Sequence, residues 1–226
     1  MTIKHHLTDA LLMAYAAGEL PEAFSLVIAT HLSLCDECRA RLGAFEAVGG
    51  AVLEEVPAVE MAAGSLAATM AAIRARGTQG PRGHAEQAMQ RRSARVQSSR
   101  SMFPVPLRDY VGGDLDAVRW RSVGGGVRQA ILPTSREARV RLLRIPAGAS
   151  VPDHGHHGIE LTQVLSGAFR DGEVVFGPGD VEVATEDTHH RPVAEPGEDC
   201  ICLAATDTPL RFDALIPRIA QPFLRI

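Results

Sequence analysis

The fold of the second half of this chain is indicated by residues 148–167, which read GASVPDHGHHGIELTQVLSG. Alternate side chains of an extended strand share a face, so His154, His156 and Glu160 would project together. Two imidazoles and one carboxylate on a common face form a ligand set that suits zinc, iron, manganese or nickel. The spacing therefore predicts a metal site inside a β domain.

A fourth ligand is expected from a later strand, where His189 and His190 are adjacent and either imidazole could complete the set. The sequence around them consists of short, partly β-branched runs bounded by Gly, Pro and Asp. These runs are residues 118–123, 127–132, 139–145, 159–165, 174–176, 181–185 and 200–205. Short strands without helical patterns between them indicate an antiparallel sandwich or barrel.

The first 76 residues show apolar side chains at helical spacing instead. Thr8 is a suitable cap for a helix that ends near Leu20, and Pro21 suits the first turn of a second helix. A third helix is expected from about Cys35, and residues 61–73 form an alanine-rich fourth segment. We therefore expect a small helical bundle here. Its hydrophobic core is small, so we expect a further stabilising feature such as a bound metal ion.

A second group of metal-ligand residues lies in this helical part. His31 stands four residues before Cys35, and Cys38 completes a Cys-x-x-Cys pair. Either His5 or His6 could supply a fourth ligand, and four thiolate and imidazole ligands make a closed structural zinc site. The alternative is two ordinary cysteines at a helix start and a surface histidine.

Charge is distributed unevenly along the chain. Through Ile73 there are three basic and nine acidic residues, which disfavours direct contact with nucleic acid. Residues 74–100 carry seven arginines and one acidic residue among Gly, Gln, Ser and Ala, a composition typical of a flexible linker. We predict a helical domain over residues 1–76, a linker over 77–101 and a metal-binding domain over 102–226.

The cellular setting is also predicted from the sequence. The chain shows no apolar run of membrane-spanning length and no secretory leader pattern, so we expect a cytoplasmic protein without a membrane partner. Four cysteines in close pairs suit a reducing compartment. Cys200 and Cys202 share strand parity, and the default interpretation is that they are packed thiols.

The stretch quoted above resembles the first signature of the cupin family along its whole length, from Gly148 to Gly167. The second cupin signature places a histidine eleven residues after a glycine. Gly179 and His190 keep that distance, so the resemblance selects His190 over His189 as the fourth ligand.

The N-terminal motif together with a C-terminal cupin resembles the ChrR group of zinc-binding anti-sigma factors. The resemblance implies zinc held by His6, His31, Cys35 and Cys38 and selects His6 over His5. It implies that the helices sequester an extracytoplasmic-function (ECF) sigma factor, which we expect to bind 1:1. It also implies that the cupin is needed for release in response to singlet oxygen or related oxidants.

The resemblance therefore implies a regulator and not an enzyme. We expect zinc in the N-terminal site and zinc in the cupin site, with iron, manganese or nickel as alternatives there. A different class also fits the sequence, namely a metal-dependent cupin dioxygenase or isomerase with an N-terminal interaction module. Octahedral iron or manganese with four protein ligands would leave two positions for substrate or oxygen.

Overall fold

The computed structural model describes residues 2–76, 101–155, 158–186, 188–208 and 211–212. Most of the predicted linker, residues 77–100, lies outside these ranges, as do His156 and His157. The described α-helices are Asp9–Ala17 (α1), Glu22–Leu32 (α2), Asp36–Glu54 (α3), Ser65–Arg76 (α4) and Val105–Val111 (α5), and a 3-10 helix spans Leu115–Ala117.

Short strands follow the helices. The described strands are Arg121–Gly124 (β1), Val127–Leu132 (β2), Arg139–Ile145 (β3), His154–Gly155 (β4), Glu160–Ser166 (β5), Phe169–Asp171 (β6), Val174–Phe176 (β7), Val181–Ala184 (β8), His189–His190 (β9), Val193–Ala194 (β10), Cys200–Thr206 (β11) and Arg211–Phe212 (β12). They pair antiparallel in one six-stranded sheet, ordered β1-β2-β3-β11-β5-β8, and two three-stranded sheets, β10-β6-β7 and β12-β4-β9.

The first two helices begin and end where the sequence provides suitable residues. The Thr8 side chain accepts a hydrogen bond from the N–H of Leu11 at 3.3 Å, and Gly18 ends α1 with a left-handed φ of 71°. Pro21 occupies the position just before α2, where its missing N–H costs no helical hydrogen bond. Helix α2 is buried on several sides, which is typical of a helix enclosed by other elements.

The six-stranded sheet has apolar side chains on both faces. On one face, Leu203 of β11 belongs to the same buried cluster as Val27 and Ile28 of α2. On the other face, Cys202 joins a second cluster with Phe169 of β6. Alternation along β11 separates the two clusters, as expected for a sheet packed on both sides.

The chain forms two compact units. Residues Met1–Ala47 and Met102–Ile226 make up the first, so α1, α2 and the start of α3 share a unit with the sheets. Val48–Ser101 make up the second. The predicted fold class, N-terminal helices followed by an antiparallel β sandwich, is confirmed. The domain limits at residues 76 and 101 stay a prediction.

Within the described ranges, every individual helix is too short or too polar to cross a membrane. Helices α1 and α2 meet the length and composition criteria only when taken as one segment bent by 113°.

Candidate metal centres

Four ligand atoms converge in the helical part of the first unit. His6 Nδ1 lies 3.3 Å from Cys35 Sγ and 3.6 Å from Cys38 Sγ, and His31 Nε2 lies 3.3 Å from Cys38 Sγ. Tetrahedral zinc with Zn–S of about 2.3 Å and Zn–N of about 2.0 Å separates sulfur from nitrogen by about 3.5 Å. The donor set and its spacing therefore fit a tetrahedral divalent ion.

Each of these ligands is fixed by the end of a helix or by the segment beside it. His31 is in the last turn of α2, and its carbonyl accepts the N–H of Cys35 at 2.9 Å. Cys35 directly precedes α3, and the N–H of Cys38 in the first turn of that helix donates to Cys35 Sγ at 3.4 Å. A helix N-terminus favours negative charge, so this position suits thiolates.

The two N-terminal histidines have different surroundings. His6 faces the two thiols, and its Nε2 lies 3.3 Å from Glu37 Oε2. His5 instead places its Nδ1 3.3 Å from Asp180 Oδ2, with its ring 4.4 Å from that of Phe176. The structure thus brings His6 and not His5 together with the other three residues.

Burial gives this cluster unusual acid–base properties when no ion is present. Burial lowers the pKa of His31 to about 4, which keeps the imidazole neutral and able to act as a ligand. Burial also raises the pKa of the Cys38 thiol to about 11. Because a bound divalent cation favours the thiolate, its positive charge would offset this cost.

A second set of ligand atoms lies on the inner face of the β sheets, between β4, β5 and β9. His154, Glu160 and His190 each offer one ligand atom, and these atoms lie within 4.8 Å of one another. The Nε2 atoms of His154 and His190 are 3.2 Å apart. All three side chains are buried, so two imidazoles and a carboxylate face a common point away from solvent.

Strand register explains which histidine joins this set. His154 and His190 are directly opposite each other in the β4–β9 pair, whereas His189 is opposite Gly155. The half-exposed His189 points instead to Asp153, with Nδ1 3.1 Å from Oδ1. The structure thus places His190 beside His154.

The expectation of one continuous strand carrying the first three ligands is wrong. His154 lies in β4 and Glu160 in β5, which belong to different sheets. A bend at Gly158 separates the strands, and Asp207 packs so close to it that a β-carbon there would collide with the carboxylate. His156 lies in this connection, outside the described residues.

Hydrogen bonds outside the cluster orient the ligands of the β-sheet site. The carbonyl of Pro152 accepts from His154 Nδ1 at 2.8 Å, and Thr162 Oγ1 donates to Glu160 Oε1 at 2.9 Å. Such partners leave His154 Nε2 facing the cluster and fix the rotamer of the carboxylate.

The far side of His190 faces two more carboxylates. Its Nδ1 lies 3.4 Å from Asp171 Oδ2 and 3.5 Å from Glu182 Oε1. Burial alone would lower the pKa of His190, but these acids and Glu160 outweigh it and raise the pKa above its ordinary value. Sequence reasoning missed Glu182, whose only local signal is an acidic residue on a strand with buried neighbours.

The second cysteine pair is packed in the β core. Cys200 and Cys202 are buried on one face of β11, with their sulfur atoms 3.5 Å apart. The hydrogen bond between the two thiols and burial raise the pKa of Cys202 well above its ordinary value, which keeps this thiol protonated. This environment agrees with the interpretation of packed thiols.

Comparison with known proteins defines the class first. Residues 109–208 match the family described as the ChrR Cupin-like domain. The whole chain is 59% identical over 226 residues to the anti-sigma-E factor ChrR of Cereibacter sphaeroides, and the alignment covers 100% of both chains. The chain belongs to the ChrR family of anti-sigma factors.

A solved structure gives the same result. The crystal structure of Rhodobacter sphaeroides SigE in complex with the anti-sigma ChrR contains a chain that is 58% identical, with a TM-score of 0.75. The match covers 91% of this chain and 100% of that chain. Both relatives are named as anti-sigma factors, in agreement with the prediction of a regulator and against the alternative of a cupin enzyme.

Proposed function

We propose that this chain is an anti-sigma factor that binds an ECF sigma factor 1:1 and keeps it from RNA polymerase. The observation that carries the proposal is the 59% identity over the full length to a protein named anti-sigma-E factor ChrR. The similarity to a chain of the SigE–ChrR complex supports a sigma factor as the partner. We also propose a cytoplasmic location, because a sigma factor acts on RNA polymerase there.

The exposed apolar side chains of the second unit supply a surface for that partner. The largest of them, within the described part of this unit, are Val48, Val52, Leu53, Val56, Val59, Met61, Leu66, Met70 and Ile73. Leu66, Met70 and Ile73 are spaced by four and three residues, which places them on one face of α4. Apolar surface of this kind is typical of helices that dock on a partner.

Charge supports the same partner. Residues 1–73 carry nine acidic and three basic side chains. A sigma factor uses basic surfaces to contact DNA, so an acidic helical partner complements it and gains association rate at low salt. The same charge argues against direct nucleic-acid binding by this chain.

We propose zinc as the ion of the helical cluster, held by His6, His31, Cys35 and Cys38. Two thiolates and two imidazoles are a preferred zinc set, and zinc would supply folding free energy by tying the N-terminal segment, α2 and α3 together. The support is the convergence of all four ligand atoms at this cluster.

For the cupin site we propose zinc held by His154, His156, Glu160 and His190, with iron, manganese and nickel as the alternatives that elemental analysis distinguishes. Three of these side chains meet in the structure, and the spacing in the sequence supplies the fourth. We further propose that this domain carries the response to singlet oxygen and related oxidants, which then releases the sigma factor.

The sigma proposal is tested with purified SigE of Rhodobacter sphaeroides and the full chain by isothermal titration calorimetry. We expect a 1:1 complex that Leu66→Glu weakens at least about tenfold, because a buried charge replaces an apolar contact. Ile131→Glu, at an exposed apolar position on β2, is the matched control and should bind within about twofold of the wild type.

Absence of binding by the wild-type chain would refute the proposed function. Equal binding by Leu66→Glu would instead show that α4 is not part of the docking surface.

A further inference from the structure

The turn between β7 and β8 reaches from the cupin to the N-terminal segment. Asp180 in this turn is buried, and its Oδ1 accepts the backbone N–H of Lys4 at 2.6 Å and of His5 at 3.0 Å. Its Oδ2 accepts the N–H of Gly177 at 2.9 Å and lies 3.3 Å from His5 Nδ1. One carboxylate of the cupin thus holds the backbone directly before His6.

The residues on either side of Asp180 extend this connection. The carbonyl of Gly179 accepts a hydrogen bond from His31 Nδ1 at 3.0 Å, and the N–H of Val181 donates to the carbonyl of His5 at 3.2 Å. A proton on His31 Nδ1 leaves Nε2 as the ligand atom, and Nε2 is the atom that faces Cys38. Three consecutive cupin residues therefore contact the segments that carry His6 and His31.

The carboxylate of Asp180 is suited to this role. Burial acts to raise its pKa, but the hydrogen bonds from Gly177, His5 and Lys4 outweigh burial and leave the pKa below its ordinary value. The charged form accepts these N–H groups more strongly than a neutral acceptor would.

We propose that Asp180 is a positioning residue for the helical metal site, so that the cupin supplies part of the outer shell of an ion held by the N-terminal helices. Asp180 fixes the position of His6, and its neighbour Gly179 fixes the tautomer and orientation of His31. This inference rests on the metal site proposed above and is independent of sigma binding. If Asp180 has this role, the metal affinity of the helical site depends on the packing of the N-terminal helices against the cupin.

Cobalt titration of the full-length Asp180→Asn variant tests the proposal. Co²⁺ substitutes for zinc, and its thiolate-to-metal charge-transfer absorption reports the helical site alone, because the cupin ligands include no thiolate. The amide keeps the size of the carboxylate but loses its charge and one acceptor oxygen. We expect cobalt affinity at the thiolate site to fall by about 10-fold or more, the usual cost of losing an outer-shell partner.

Asp114→Asn is the matched control. The Asp114 carboxylate also accepts backbone N–H groups, those of Met102, Phe103 and Leu115. Among the described residues, none of these partners is a ligand of either metal cluster. We expect this variant to keep the wild-type cobalt affinity. Equal affinity of Asp180→Asn and wild type would overturn the inference, whereas absence of the thiolate band from the wild type would refute the metal site itself.

A measurement on the wild type keeps the inference testable if Asp180→Asn fails to fold. In zinc-loaded protein with ¹⁵N-labelled histidine, we expect the His31 proton on Nδ1 and protected from exchange with water. His31 is buried and donates this proton to Gly179, so slow exchange follows. A proton on Nε2, or rapid exchange at Nδ1, would overturn the inference.

Discussion

Replacing Ile28 with alanine is expected to destabilise the N-terminal helices and the six-stranded sheet together. Ile28 in α2 has 0% of its surface exposed and belongs to the same buried cluster as Leu203 of β11. The substitution removes three carbons, worth about 2.4 kcal/mol at about 0.8 kcal/mol each. The cavity left behind raises the expected loss of unfolding free energy to about 3–4 kcal/mol.

Amide hydrogen exchange measures whether α2 and the six-stranded sheet both lose stability in this variant. If α2 and β11 open as one cooperative unit, protection at Leu203 should fall about 100-fold or more in Ile28→Ala. Met13→Ala, at a position in α1 that is 56% exposed, is the control and should change stability by less than about 0.5 kcal/mol. Loss of protection in α2 with unchanged protection at Leu203 would refute the shared core and favour independent domains.

Three further outcomes are expected. Replacing Cys35 and Cys38 together with alanine should lower the zinc content by one ion per chain and abolish sigma inhibition. If a transcription assay shows that the variant still inhibits the sigma factor, the zinc ion is not needed for partner binding. Glu182→Gln should weaken metal binding at the cupin site about 10-fold, because Glu182 orients the ligand His190, and it should leave the cobalt–thiolate band of the helical site unchanged. If the cupin site of the variant binds metal as tightly as that of the wild type, Glu182 does not act on His190. His154→Ala should inhibit sigma normally but release it less under singlet oxygen, and normal release would remove the cupin ion from the response.

Local patterns were enough to predict most of the secondary structure. Alternation and turn residues located strands such as β3 and β5, and the Thr8 cap located the start of α1. The Cys-x-x-Cys spacing after His31 identified the helical cluster, because one helix end and one helix start bring those residues together. Two-residue strands such as β4 and β9 carry too little pattern to be recognised.

Features that depend on contacts between distant segments could not be read from the sequence. The apolar residues around α2 predict that other elements cover it, but the strands that do so, β3, β5 and β11, lie more than 100 residues later in the chain. His189 and His190 are the same residue type, and the sequence selected His190 only through its resemblance to the second cupin signature; the physical difference between the two is the β4–β9 register. Asp180 follows a Gly-Pro-Gly turn and gives no sign of its hydrogen bonds to residues 4 and 5.

The measurement that tests the central claim most directly is transcription by RNA polymerase with SigE of Rhodobacter sphaeroides, titrated with the full-length protein. The proposed function predicts that one equivalent of the chain stops transcription from a SigE promoter, while transcription with a primary sigma factor continues. Full SigE-dependent transcription in the presence of excess zinc-loaded protein would contradict it.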